Sequence, residues 1–263
     1  MAYLSTLRSI QEFLRRHVKR DTPAWNFLMG IKSGATKWQT AWNTRCWELA
    51  EQTHARVLDQ LAGSASPFFF VQIGAHDGLM DDPLSERIAR DHWHGMFIEP
   101  QPEPFSNLRA RYAGKDEGLI FENVAIDLVA GTRTLYRVKP EYVHIPEISG
   151  LASFHSDRAL ATQAALGRLS SIEVPCFPLQ TLLDRHGIRQ VHLLQMDTEG
   201  YEATLLSGID LTALRPWAIH YEHRHLTTRE HRDCLRRLHA HGYRTAEKQF
   251  DVFAWLDNRP GAP

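Results

Sequence analysis

Hydrophobic positions along the chain fall into two regimes that meet at Pro67. In "LSTLRSIQEFLRRHVKR" the apolar Leu4, Leu7, Ile10, Phe13 and Leu14 recur at helical spacing with basic residues elsewhere. "NFLMGIKSGATKWQTAWNTRCWELAEQTHARVLDQLA" continues that pattern through Trp38, Trp42, Trp47 and Leu49, with interruptions near Gly30 and Gly34. "GSASP" then breaks it. Beyond Pro67 short apolar runs alternate with helix-length amphipathic stretches. "FFFVQI" precedes a helix from about Pro83 to Arg90, and "GMFIEP" precedes one from about Pro102 to Tyr112. "LIFENVAI", "TRTLYRV", "IEVPCF" and "VHLLQMD" follow as strands, then a helix at "YEATLLSG" and a strand at "WAIHYE". A helix at "REHRDCLRRLHAHG" and the strands "YRTAEKQ" and "VFAWLD" complete the series.

Strands separated by helices make βαβ units, so the pattern predicts an α/β domain over residues 63–263 with a mostly parallel sheet. The last two strands are joined by a turn too short for a crossover helix, so one of them runs antiparallel. The stretch from about Lys139 to Ile172 is a long insertion between strands, of the kind used as a lid or substrate loop. Residues 1–62 form a helical extension that either covers the substrate pocket or packs on a second subunit in a homodimer. The sequence shows neither internal repeats nor low-complexity tracts.

Composition narrows the classes. With 43% hydrophobic and 23% charged residues the chain reads as a globular protein able to bury a substantial core. Thirty Lys and Arg balance 31 Asp and Glu, so no general field attracts nucleic acid or an anionic membrane, and neither partner is expected. Cys46, Cys176 and Cys234 lie far apart without a CxxC, which suits a reducing compartment. No apolar run approaches the roughly 18 residues of a membrane span, and the first residues lack the apolar core of a signal peptide; a cytoplasmic location is the expectation.

Candidate chemistry gathers where strands end. In "FFFVQIGAHDGLMDDP" a buried strand feeds Gly74 and Gly78, with Asp77, Asp81 and Asp82 close behind. The glycines let backbone approach a ligand, and the acids suit a cationic group better than a pyrophosphate. An ordinary turn with Asp caps is the alternative reading. Glu99 ends the next strand twenty-five residues after Gly74, where a nucleoside-binding sheet places an acid for the ribose hydroxyls; capping the following helix is its structural alternative. Gln101 adds a polar contact, and Asn123, Val124 and Ala125 offer a small surface suited to an adenine ring. "LLQMDTEGYE" delivers Asp197 and Glu199 off a central strand, either as helix N-cap groups or as an acid/base pair. "AIHYEHRHL" brings His220, Glu222, His223 and His225 to the same edge. Carboxylates and imidazoles together can ligate a divalent metal, but no HExxH or comparably tight spacing is present, so no metal is assigned.

Taken in order, "VQIGAHDGLMDDPL", "FIEPQPEPFSNLRARY", "ENVAID", "GLASF", "LLQMDTEGYEATLL" and "YEHRHL" resemble the FkbM-type methyltransferases, over about Phe68 to Leu226. The D-x-E-G-x-E/D and I-E-P blocks are the specific signals. The resemblance implies a Rossmann-like class I methyltransferase sheet with an antiparallel last strand, S-adenosylmethionine as cofactor, and O-methylation of a hydroxyl on a sugar, glycan or secondary metabolite. It implies a cofactor set of Gln72, Gly74, Ala75, His76, Asp77, Gly78, Asp82, Glu99, Pro100, Gln101, Asn123, Ala125 and Asp197, with Glu99 on the ribose and Asp197 near the methionine end. His76 departs from the Asn often found there. Asp197, Glu199 and His223 are the candidates for handling the hydroxyl proton, and Ser153, His155, Tyr201, Glu222 and His225 for contacting substrate. Two readings stand beside it: an RNA methyltransferase using the basic runs "RRHVKR" and "RDCLRRLHAHGYR", and a non-catalytic binding module. An NAD-dependent oxidoreductase wants a third glycine in the first turn and no acids there.

Overall fold

The structure, a computed structural model, describes residues 54–79 and 84–257; the expected N-terminal helices before residue 54, together with Cys46, Asp81 and Asp82, lie outside them. Residues 54–62 are helical. The elements that follow are β1 (Phe69–Ile73), α1 (Ser85–Asp91), β2 (His94–Ile98), α2 (Pro102–Arg111), β3 (Leu119–Glu122), β4 (Ala125–Ile126), β5 (Gly131–Val138), β6 (Ala152–Ser153) and β7 (Leu169–Phe177). Then come α3 (Leu179–Arg185), β8 (Leu193–Met196), α4 (Glu202–Gly208), β9 (Ala218–Glu222), α5 (Thr228–Ala240), β10 (Arg244–Lys248) and β11 (Asp251–Trp255).

Seven strands form one sheet in the order β10-β11-β9-β8-β1-β2-β3. β1 pairs in parallel with β2 and with β8, β8 with β9 and β2 with β3. β11 alone runs against its neighbours β9 and β10, as the short final turn requires. The strand order turns back on itself at β1, so the chain leaves β1 toward one flank and β8 toward the other. A crevice opens between them at the carboxyl edge, the usual ligand position in such sheets.

Both faces of the sheet are covered, which explains its uninterrupted apolar strands. Val71, Ile73, Ile98, Met196, Ile219 and Val252 point into one core with Leu182, Leu205 and Leu238 from α3, α4 and α5. Phe70, Phe97, Leu193, Ala218 and Phe253 point into the other with Leu58, Leu61, Ile88 and Leu108. α5 begins at a capping box, in which the Thr227 hydroxyl accepts from the Glu230 amide while the Glu230 carboxylate accepts from the Thr227 amide.

The run "LIFENVAI" differs from the single strand expected of it. It divides into β3, in the main sheet, and β4, in a second sheet ordered β4-β7-β5-β6. The Asn123 side chain donates to the Glu99 carbonyl at 2.8 Å and turns the chain between the two. β5 and β7 pair along their length as antiparallel arms, and the insertion hangs between them; β7 starts at Leu169, so the end of the expected insertion is strand. Among the described residues no helix is long and apolar enough to cross a membrane.

One histidine is buried and a second half-buried within the main sheet region. His192 Nδ1 accepts the Phe69 amide at 2.8 Å, and burial lowers its pKa. His220 is pushed down to about 4 by burial, with Lys248 adding to the effect. A histidine whose folded pKa is depressed contributes stability that is present above its unfolded value near 6.5 and lost as pH falls through the folded value. Stability is therefore expected to fall below pH 6.5, for His220 down to about pH 4, at up to ~1.4 kcal/mol per pH unit for a fully titrating histidine, and the melting temperature falls with it. His220→Gln should flatten part of that decline in a pH series of thermal melts; an unchanged slope would remove His220 as a cause.

Candidate functional site

A cavity of about 530 Å³ lies at the carboxyl edge, beside the crevice between β1 and β8. Its size suits a nucleoside-sized ligand with room for a second reactant. The first turn shapes one wall. The Gly74 and Ala75 amides both donate to the Ile98 carbonyl, at 2.9 and 3.1 Å, which ties the turn to the end of β2. Gly74 has φ of 81°, and a Cβ there would run into the carbonyl oxygen of Asp197. Only glycine allows the end of β1 to pass so close to the end of β8.

Glu99 is 3% exposed and belongs to the cavity lining. Its Oε2 accepts the His76 amide and its Oε1 the Gln101 amide, each at 2.8 Å. Burial raises its pKa, and these two amides work in the opposite direction by favouring the carboxylate. Each oxygen keeps a lone pair for a further donor. Gln72 Oε1 is buried on the same wall without a hydrogen-bond partner.

The opposite wall is the turn after β8. Asp197, Thr198 and Glu199 line the cavity, and Glu199 holds φ of 54°, rare for a residue with a side chain. The turn is organised by Glu202, which is 1% exposed. Its Oε1 accepts the Thr198 amide at 2.6 Å and the Thr198 hydroxyl at 2.9 Å, and its Oε2 accepts the Gly200 amide at 3.0 Å. Burial raises the Glu202 pKa, against the pull of its bonds to backbone. The Glu199 carbonyl accepts from Ser153 Oγ at 2.9 Å and the Gly200 carbonyl from Arg158 at 2.7 Å, which links the turn to the insertion.

Glu199 Oε2 points to a buried place with no hydrogen-bond donor. His225 Nε2 lies 3.2 Å from it, close enough for charge pairing but outside hydrogen-bonding geometry. Glu222 completes a group of three ligand-type side chains whose donor atoms lie within 4.8 Å of one another. Burial and the neighbouring Asp197 and Glu199 push Glu222 up to about 9, so it carries a proton at neutral pH.

Of the residues expected at the site, Gln72, Gly74, Ala75, His76, Glu99, Pro100, Gln101, Ala125, Ser153, Asp197, Glu199, Tyr201, Glu222 and His225 all line the cavity. Tyr201 and Ser153 have internal partners: the Tyr201 hydroxyl donates to Asp127 and accepts from Arg133, both at 2.7 Å. Five expected residues are not part of the lining. Asp77 accepts the Leu79 amide, Gly78 packs toward Leu108 and Tyr112, and Asn123 serves the Glu99 carbonyl. The His155 amide donates to Ser153 Oγ at 3.2 Å. His223 turns away from the cavity and stacks on His231, and the rest of the segment after β9 gives the cavity Glu222, Arg224 and His225 instead. Asp82 lies outside the described residues. Glu202 and Arg224 were not anticipated as site residues; the last acid of the D-x-E-G-x-E block was the available signal for Glu202.

No curated protein matches the chain. Among solved structures, a fibrillarin/Nop5p complex chain is similar at 11% identity, covering 72% of each chain with a TM-score of 0.37. The Methanococcus jannaschii fibrillarin pre-rRNA processing protein is similar at 13% identity over 73% of this chain and 67% of that one, also at TM-score 0.37. A precorrin-6y C5,15-methyltransferase from Geobacter metallireducens is similar at 10% identity, over 73% and 80%, with the same TM-score. The family comparison spans the whole site: residues 72–245 match the methyltransferase FkbM domain, and the chain belongs to that family.

Proposed function

We propose that the protein transfers a methyl group from S-adenosylmethionine to a hydroxyl of a sugar, glycan or secondary metabolite. Family membership supports the cofactor, and the cavity fits it. Glu99 would hold the ribose hydroxyls on its two remaining lone pairs. Gln72 and Asp197 would hold the ammonium group, which offers the donor that Gln72 Oε1 lacks. Ala125 and Val124 supply an apolar surface for the base. When bound, the cofactor supplies an electrophilic methyl group, and the chain's part is to place and deprotonate the acceptor.

The observation that carries the oxygen acceptor is the buried, donorless Glu199 Oε2 beside His225. A hydroxyl entering the cavity satisfies Glu199 by donating to it and loses its proton to the Glu199–His225 pair as the oxygen becomes nucleophilic. A residue that anchors its carbonyl on Ser153 and its turn on Glu202 holds that carboxylate in place. The two described cysteines, Cys176 and Cys234, are buried free thiols, which supports a reducing, cytoplasmic setting.

Calorimetric titration with S-adenosylmethionine, followed by transfer of its labelled methyl group to a panel of hydroxylated sugars and metabolites, tests the reading. Micromolar binding and label on oxygen are expected. Absence of cofactor binding would sink it, and label recovered only on nitrogen would sink the hydroxyl assignment. Glu99→Ala is expected to weaken cofactor binding about 10- to 100-fold, since it removes a charge-assisted acceptor for two ribose donors. Affinity within threefold of the parent, in a variant with a native melting temperature, would take the ribose away from Glu99.

A further inference from the structure

A second cluster of ligand-type side chains lies outside the cavity lining and is drawn from three different elements. His223 follows β9, His231 lies in the first turns of α5, and Glu247 is on β10. The two imidazoles stack with centroids 4.1 Å apart and planes at 22°. Glu247 Oε2 lies 3.1 Å from His231 Nε2, and one donor atom from each of the three lies within 4.8 Å of the others.

Two observations set this group apart from a chance surface cluster. His223 Nε2 is a wholly buried atom with no hydrogen-bond partner, and it lies in the stack beside the His231 ring whose Nε2 faces Glu247. A ring nitrogen removed from water without a partner costs on the order of 1–3 kcal/mol, which a ligand at His223 Nε2 would offset. His223 is also fixed from behind, because its amide donates to the Phe250 carbonyl at 2.6 Å. That bond fixes the backbone from which the ring reaches His231.

We propose that His223, His231 and Glu247 form a binding site for a divalent transition metal of the zinc class. Two imidazoles and a carboxylate are a donor set such ions prefer, and magnesium and calcium prefer oxygen. Metal–ligand distances of roughly 2.0–2.2 Å require the donors to draw together and the two rings to turn out of their stack until their in-plane lone pairs converge, which side-chain torsions can provide. Glu247 is the exposed edge of the site, with 46% of its side chain accessible, so solvent completes the coordination there. The ion would tie α5 and β10 to the segment from Glu222 to His225. Because the other residues of that segment, Glu222, Arg224 and His225, line the cavity, occupancy would fix the wall from which His225 acts.

The test uses full-length protein, freed of any polyhistidine tag and treated with chelator, titrated with Zn²⁺ against a chromophoric competitor and with Co²⁺ by visible absorption. One equivalent bound with micromolar or tighter affinity, with ligand-field bands of nitrogen and oxygen coordination, is expected. Glu247→Gln should weaken that binding at least tenfold and His231→Gln more; should His231→Gln fail to fold, the exposed Glu247 carries the test. His225→Gln should leave it unchanged. Failure to bind a stoichiometric ion overturns the proposal, and so does binding that survives both His231→Gln and Glu247→Gln. Loss of binding in His225→Gln would overturn it too, by moving the ion to the cavity group of Glu199, Glu222 and His225.

Discussion

Glu199→Gln is expected to lower kcat by about 10²- to 10⁴-fold while leaving S-adenosylmethionine affinity within threefold of the parent. The substitution keeps size and shape but replaces a buried carboxylate oxygen, Oε2, that has no donor in the free protein. A glutamine at that place can still hold a hydroxyl but cannot draw off its proton. His225→Gln should produce a loss of similar size, because Nε2 at 3.2 Å is the only imidazole nitrogen paired with Glu199 among the described residues. The double variant should lose little beyond either single one, since two groups that act as a unit give strongly non-additive effects. Steady-state kinetics on an identified acceptor, with cofactor affinity measured separately, separates this from a binding defect. A Glu199→Gln enzyme with a raised KM and an unaltered kcat would show that the pair only positions substrate.

The centre of the main sheet was legible in the sequence because its strands β1, β2 and β8 are buried on both sides. "FFFVQI", "GMFIEP" and "VHLLQMD" contain few polar positions, and a run of that kind between two turns has little choice but to be a central strand. The reversed final strand followed from chain length alone, since Lys248 and Asp251 leave no room for a crossover. The second sheet was hidden. "ENVAI" reads as one continuous strand, and only a tertiary hydrogen bond, from Asn123 to the Glu99 carbonyl, divides it between two sheets. Strand-end carboxylates were found for a related reason: an acid at the end of an apolar run needs donors, and Glu99 has them. The histidines were harder. In "YEHRHL" two imidazoles two positions apart, His223 and His225, differ in sequence by nothing that reveals which faces the cavity. Where β9 ends at Glu222 and how His231 on α5 captures His223 decide it. Glu202 escaped notice because its work is on backbone, and backbone donors left by an unusual turn are not written in side-chain chemistry.

That turn makes Glu202→Ala the substitution with the largest structural effect. It leaves the Thr198 amide, the Thr198 hydroxyl and the Gly200 amide without their acceptor in a place where Glu202 itself is 1% exposed. Removing the acceptor from such a set costs about 3–5 kcal/mol, which in a chain of this size lowers the melting temperature by roughly 6–20 °C. Glu202→Gln should fall between the two: its amide oxygen can serve one side of the turn, but its NH₂ faces a backbone donor on the other. Activity is expected to fall further than stability does. Glu199 is held at φ of 54° in that turn, a conformation a non-glycine residue keeps only when its surroundings enforce it. Once Thr198 and Gly200 are released, Glu199 relaxes and its carboxylate leaves His225. Thermal melts and kinetics of both variants, taken at a temperature where each is fully folded, distinguish the two effects. A Glu202→Ala protein that melts within 2 °C of the parent would show that water or a shifted side chain serves those donors as well. One that is destabilised yet keeps its full kcat would show that the turn is a structural fixture with no hold on Glu199.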